Sequence, residues 1–177
     1  MSTVRARRLL HDHEALLRLA EPTHGRITLE RAEGEPVSVY VLAFHCRSVA
    51  CLQDGQPLYT TRPRVRIQFP AQYPAEPPQA TVLSPIFHPH IWPNRMVCLG
   101  KWSPAEKLDS LVLRIASILV FDPAQFNWKS VANHEAAAWA QHNAQLFPLD
   151  DLFLPAQEQQ PSAGRLLQWS EGKRSHG

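Results

Sequence analysis

Cys98 stands in the stretch "IFHPHIWPNRMVCLGKWSP", Ile86 to Pro104, among prolines, two histidines and two tryptophans. A thiolate is a strong nucleophile and a metal ligand, and a free thiol is already a few per cent ionised near neutral pH. His88 and His90 share the loop, and imidazole can donate, accept or ligate. Three chemistries fit these residues. Cys98 could carry an acyl group, it could hydrolyse one with His88 or His90 as base, or the three could ligate a metal. Hydrolysis is the weaker reading, because neither a third orienting residue nor a glycine cluster for an oxyanion is evident. Cys46 and Cys51, in "CRSVAC", resemble half a metal site but have no second Cys or His pair at zinc spacing. They read as free thiols, so no metal and no cofactor is expected. Pro89 and Pro93 fix their own φ and restrict the residue before each. The loop is therefore stiff, and a stiff loop gives a thiol fixed geometry.

The elements that must hold this loop follow from pattern and punctuation. Residues 3–20 read as an amphipathic helix with Leu9, Leu10, Leu16, Leu17 and Ala20 in its apolar stripe, ended near Pro22. "RITLERA", "VSVYVLAFHC", "RVRIQF" and "QATVL" read as four strands. "CLQDGQPLYTTRP", between the second and third, reads as a long loop. After Cys98 the texture turns helical. Ser103, Pro104 and Glu106 form the S-P-x-E signature of a capping box, and apolar residues recur from Leu108 to Leu119. Pro123 stops that run. A further helix is expected over about 130–146, capped by Ser130 or Asn133, with Ala136, Ala137, Trp139 and Ala140 inside. One helix, four strands as hairpins and then helices make an α+β fold.

The chain has 177 residues, 44% hydrophobic and 19% charged, enough for one well-filled domain over 1–154. From about Pro155 it turns Gln-, Ser- and Gly-rich, so 155–177 is expected to be a flexible tail, with "RLLQW" as a candidate docking helix. A net charge of +2 gives no footprint for nucleic acid. The longest apolar run, "IASILVF", is far below the ~20 residues that span a bilayer, and no signal-peptide core is visible. An odd count of cysteines points to a reducing, cytoplasmic setting.

The stretch from Arg64 to Trp139 resembles the ubiquitin-conjugating enzyme family. "FPAQYPAEPP", Phe69 to Pro78, is similar to that family's F-P-x-x-Y-P-x-x-P-P. "HPH" stands where the family has H-P-N, and Cys98 follows His90 at the family's spacing to its active-site cysteine. "WSPA", Trp102 to Ala105, and "FDP", Phe121 to Pro123, fall in order after it. The resemblance implies an N-terminal helix, a four-stranded antiparallel meander and C-terminal helices. It implies that Cys98 accepts a ubiquitin-like C-terminus from an activating enzyme and passes it to an amine of a target protein. His88, Pro89 and Trp102 would position the loop. His90 would replace the family's Asn as an oxyanion donor, or would only brace the loop. Asn127, where many members are acidic, would orient the amine or cap a helix. Arg5, Arg7 and Arg8 on the first helix would meet the activating enzyme. Pro104 and Ala105 would meet a ligase, to which Ala75 offers little area. Arg95 stands where a Gly is usual. The pattern "FDP..FN..S.AN...A.W" looks more like the conjugating enzymes of bacterial ubiquitin-like operons. A catalytically silent relative that only binds a ubiquitin-like protein is the alternative; such relatives typically lack the cysteine.

Overall fold

Thr3 opens the first helix: its side-chain oxygen accepts the Ala6 N–H at 3.1 Å. The helix, α1, runs Val4–Leu17 in a computed structural model that describes residues 3–149. The expected tail at 155–177, with "RLLQW", lies outside the described residues. Leu9 and Leu16 face the core, but Leu10 and Leu17 are about half exposed, at 53% and 54%. Successive helical positions turn about 100°, so a heptad pair one step over points elsewhere. The third inward position of the Leu9–Leu16 stripe is Asp12, which is 1% exposed. Ala20 lies beyond the helix and is exposed.

Four strands form an antiparallel sheet in the order β1-β2-β5-β6: β1 Ile27–Glu33, β2 Val39–Phe44, β5 Arg64–Gln68 and β6 Gln79–Val82. The expected long loop is instead a separate hairpin, β3 Ser48–Gln53 with β4 Gln56–Thr60. Its turn residues Asp54 and Gly55 both have positive φ, at 52° and 76°. That is the pairing a two-residue hairpin turn favours, and Asp-Gly supplies it. The hairpin interrupts the meander between β2 and β5 without breaking their pairing.

α2, Leu108–Leu119, lies on the sheet with Leu108, Leu111, Val112, Ile115, Ala116, Ile118 and Leu119 buried. It begins at Leu108, not at Ser103. Ser103 closes a turn of its own, its carbonyl accepting the Glu106 N–H at 2.9 Å and its hydroxyl the Ala105 N–H at 3.3 Å. The cap of α2 comes from across the core: Leu108 N–H donates to Asp12 Oδ1 at 3.0 Å. A carboxylate from another helix thus takes the place of the local serine, and its charge suits the positive end of α2. α3, His134–His142, is shorter than expected and is capped by Asn133, whose side chain accepts the Ala136 N–H. Ala136, Ala137, Trp139 and Ala140 are buried in it.

The main core joins Tyr40, Leu42, Phe44, Val65, Ile67 and Val82 of the sheet to Leu9 and Leu16 of α1 and to α2. Each such large apolar side chain contributes roughly 1.5–3 kcal/mol on burial. A smaller cluster of Val49, Phe121, Trp139 and Ala140 fastens the hairpin and α3. The two clusters leave the Ile86–Trp102 segment between β6 and α2 as the part they jointly hold.

Candidate active site

His88 is fully buried, packed edge-on against Phe121 with ring centroids 4.3 Å apart. Its Nδ1 accepts the His90 backbone N–H at 2.9 Å, which leaves the proton of the neutral ring on Nε2. Nε2 meets no hydrogen-bond partner at bonding distance, and the Ile118 backbone is the one neighbour that favours charge there. Burial, and then the neighbouring His90, hold the His88 pKa well below the usual histidine value. A neutral, buried imidazole with a backbone bond is a loop support. Pro89 extends the support: its carbonyl accepts the Ala132 and Asn133 N–H groups at 2.8 and 3.1 Å. The start of α3 is thereby tied to the loop.

His90 is 4% exposed and joins three segments. Its Nε2 accepts the Asn127 N–H at 2.9 Å, and its carbonyl accepts the Cys98 N–H at 2.8 Å. Nε2 is therefore an acceptor, the proton of the neutral ring sits on Nδ1, and burial lowers the pKa. Asn127 is exposed beside it, with its own Oδ1 accepting the Lys129 N–H at 3.1 Å. It does not cap α3, which Asn133 does.

Cys98 is partly exposed and free. The chain before it is a short rung on the sheet edge: Val82 N–H donates to Arg95 O and Val97 N–H to Ala80 O, both at 2.9 Å. Ile91 also bridges Val97. Arg95 occupies φ 72°, a left-handed turn where glycine is the easy residue. The chain after Cys98 is held from α2. Arg114 donates to the Leu99 carbonyl and, through two further nitrogens, to Glu106 at 3.0 and 2.8 Å. Cys98 thus lies between clamped neighbours with its side chain reachable. Cys46 is buried just past β2, and Cys51 is exposed within β3. Among the described residues no group of three or more His, Cys, Asp or Glu side chains could hold a metal ion.

The residues expected at partner surfaces gather at one end. Trp102 Nε1 donates to the Pro74 carbonyl at 2.9 Å, joining the loop of Ala75 to that of Pro104 and Ala105. All three of those residues are exposed. Arg5 donates to the Pro70 and Phe69 carbonyls, and Arg8 to Asp12, Pro104 O and Glu106 O. Arg7 is the exposed member of the trio. Arg5 and Arg8 thus dock α1 onto these loops.

Sequence reasoning missed three residues of this arrangement: Asp12, Glu106 as a partner of Arg114, and Arg114 itself. Asp12 also accepts from the Tyr73 hydroxyl, and burial first, then this carboxylate, pushes the Tyr73 phenol pKa up. The one signal was its register: an acid on the Leu9–Leu16 stripe of a helix calls for buried partners.

A helix, a four-stranded antiparallel sheet, and a cysteine loop held between the sheet edge and the following helix define the class. The model of the family described as ubiquitin-conjugating enzyme matches residues 50–149, more than half of the chain. The chain belongs to the ubiquitin-conjugating enzyme family. It is 30% identical over 141 residues to ubiquitin-conjugating enzyme E2 2 of Trichoderma harzianum, covering 77% of this chain and 84% of that protein. It is 33% identical over 86 residues to a ubiquitin-conjugating enzyme E2 of African swine fever virus, covering 42% of this chain and 38% of the viral protein. Against ubiquitin-conjugating enzyme 15 of Arabidopsis thaliana it is 39% identical over 67 residues, 35% of this chain and 42% of the plant protein. The chain thus spans about two fifths of the viral and plant relatives it matches.

Proposed function

We propose that Cys98 receives the C-terminal acyl group of ubiquitin, or of a ubiquitin-like protein, from the thioester of an activating enzyme, and passes it to an amine of a target protein. The observation that carries this reading is a reachable thiol on a loop clamped on both sides, in a fold of this family. In the first step the Cys98 thiolate attacks the donor thioester and the activating enzyme's thiolate leaves. In the second, an amine attacks the carbonyl carbon of the Cys98 thioester. The C–N bond forms, the carbonyl electrons pass to oxygen, and on their return the C–S bond breaks. Cys98 leaves as thiolate, and the amine's proton goes to solvent. Exchange between thioesters is nearly balanced in energy, so geometry and charge stabilisation carry the work.

In this reading His88, Pro89 and Trp102 position the loop. His90 holds Asn127 beside the amine path by a backbone bond, which favours the bracing role for its ring. Arg7, with Arg5 and Arg8 behind it, faces an acidic region of the activating enzyme. Pro104 and Ala105 face a ligase where one takes part, with Ala75 adding little area. The pattern from Phe121 to Trp139 and the His in place of Asn support a ubiquitin-like system of the bacterial operon kind, in a cytoplasm that keeps thiols reduced. The test is a charging and discharge assay with an activating enzyme, ubiquitin-like protein and ATP. A reductant-sensitive adduct that disappears on addition of an amine supports the reading. A protein that binds the partner without ever forming an adduct is the silent interaction module instead.

A further inference from the structure

The Nε2 of His90 accepts the Asn127 N–H and so cannot donate to charge developing on the thioester oxygen; the backbone N–H groups just after Cys98 are other donors at hand. We infer that the backbone N–H of Gly100 is the donor and that Arg114 is the residue that positions it; this rests on the acyl-transfer reading above. Arg114 reaches from α2 to the Leu99 carbonyl while Glu106 holds the guanidinium by two bonds. The Leu99 carbonyl and the Gly100 N–H belong to one planar trans peptide, in which the two groups point in opposite directions. Drawing the carbonyl toward α2 therefore turns the Gly100 N–H away from it, to the outer side of the loop that carries Cys98. Among the described residues the Leu99 and Gly100 N–H groups have no hydrogen-bond acceptor, whereas the Cys98 N–H is used by His90.

Gly100 has φ 66°, with nothing within 4 Å of where a Cβ would stand. Space does not demand glycine there; the left-handed conformation does. Successive N–H groups around such a residue form a concavity suited to an anion. When the amine attacks, the oxygen that gains charge is bonded to the carbon on Cys98 Sγ, and Cys98 is two residues from Gly100 in the chain. Arg114 touches neither substrate nor thioester; it fixes the peptide plane.

The test uses the full chain charged at Cys98 by transfer from ubiquitin's C-terminal thioester with a small thiol, followed by single-turnover discharge to free lysine. In Arg114→Gln, discharge should slow by about 10–100-fold; charging, which develops charge on the same oxygen, should slow as well, with the protein still folded at the assay temperature. Arg114→Lys, which keeps a cation for the carbonyl, should recover part of the loss. Replacing Gly100 by glycolic acid turns its N–H into an ester oxygen without adding a side chain, and should slow discharge about 10²–10³-fold. A glycolate variant that discharges like wild type overturns the donor assignment. Discharge of Arg114→Gln at the wild-type rate, or a loss that lysine does not rescue, overturns the positioning role. Wild type whose Cys98 accepts neither ubiquitin nor a ubiquitin-like protein from such a thioester overturns the acyl-transfer reading itself, a failure visible before any variant is compared.

Discussion

The ring of His90 accepts the Asn127 backbone N–H at 2.9 Å while the His90 carbonyl accepts the Cys98 N–H at 2.8 Å. One residue thus links the segment before α3 to the backbone of Cys98. In this position an Asn side chain would offer an amide donor; here the ring nitrogen facing Asn127 is an acceptor.

His90→Ala should therefore act as loss of a brace. The Asn127 N–H loses its partner, which costs about 1–3 kcal/mol where the group stays shielded from water. Charging and discharge should fall together, along with the melting temperature. Single-turnover rates measured beside thermal melts check this. A selective loss of discharge at unchanged stability would instead make His90 an oxyanion donor.

Stability should decline on mild acidification. Burial keeps both His88 and His90 harder to protonate than in the unfolded chain, where each titrates near 6.5. Below that pH the unfolded chain takes up protons that the folded protein refuses. The stability gained from two neutral rings is thus complete above about pH 6.5, and is lost as pH falls below it toward the folded values. The slope reaches at most about 1.4 kcal/mol per group for each pH unit. Urea denaturation between pH 7.5 and 5 should show it, with a shallower slope in His90→Asn. An unchanged slope in that variant would remove His90 from the account.

Asp12 holds the first and second helices to each other. Asp12→Ala strips the cap from Leu108 and the partner from the Tyr73 hydroxyl, and leaves Arg8 without its carboxylate. A loss of about 3 kcal/mol is expected. Asp12→Asn, which still accepts from Leu108, should lose less. Denaturant titration of the two variants decides; equal stability of Asp12→Ala and wild type contradicts the capping role.

Arg95 tests backbone strain in the loop that carries Cys98. Arg95→Gly relieves a left-handed conformation worth roughly 1–2 kcal/mol, set against an exposed bond to the Leu83 carbonyl at 3.1 Å and the greater freedom of an unfolded glycine. The net expectation is a small gain, a rise of about 2 °C in melting temperature. A clear fall would mean that the arginine's contacts outweigh its strain.

What the sequence made legible was whatever is encoded locally. The spacing of His88, His90, Cys98 and Trp102 lies within fifteen residues of chain, and β5 announces itself by alternation. Asp54-Gly55 was equally legible as a hairpin turn, but the short and polar runs around it read as loop. Ser103 looked like the cap of α2 because the local signature was complete. Asp12, some 96 residues away in sequence, won that place through tertiary contact. The same holds for Arg114: nothing in its neighbourhood says that it ends on the Leu99 carbonyl. The orientation of the His90 ring was invisible for a related reason, since it depends on where Asn127 comes to lie.

The most direct measurement concerns Cys98. The protein is incubated with an activating enzyme, its ubiquitin-like partner and ATP, and the products are resolved by intact mass with and without reductant. Wild type, Cys46→Ser and Cys51→Ser should each gain one partner, released by reductant. Cys98→Ser should hold it as an ester that reductant does not release, and Cys98→Ala should gain none. A reductant-sensitive adduct on Cys98→Ala would contradict the assignment of the thioester to this residue.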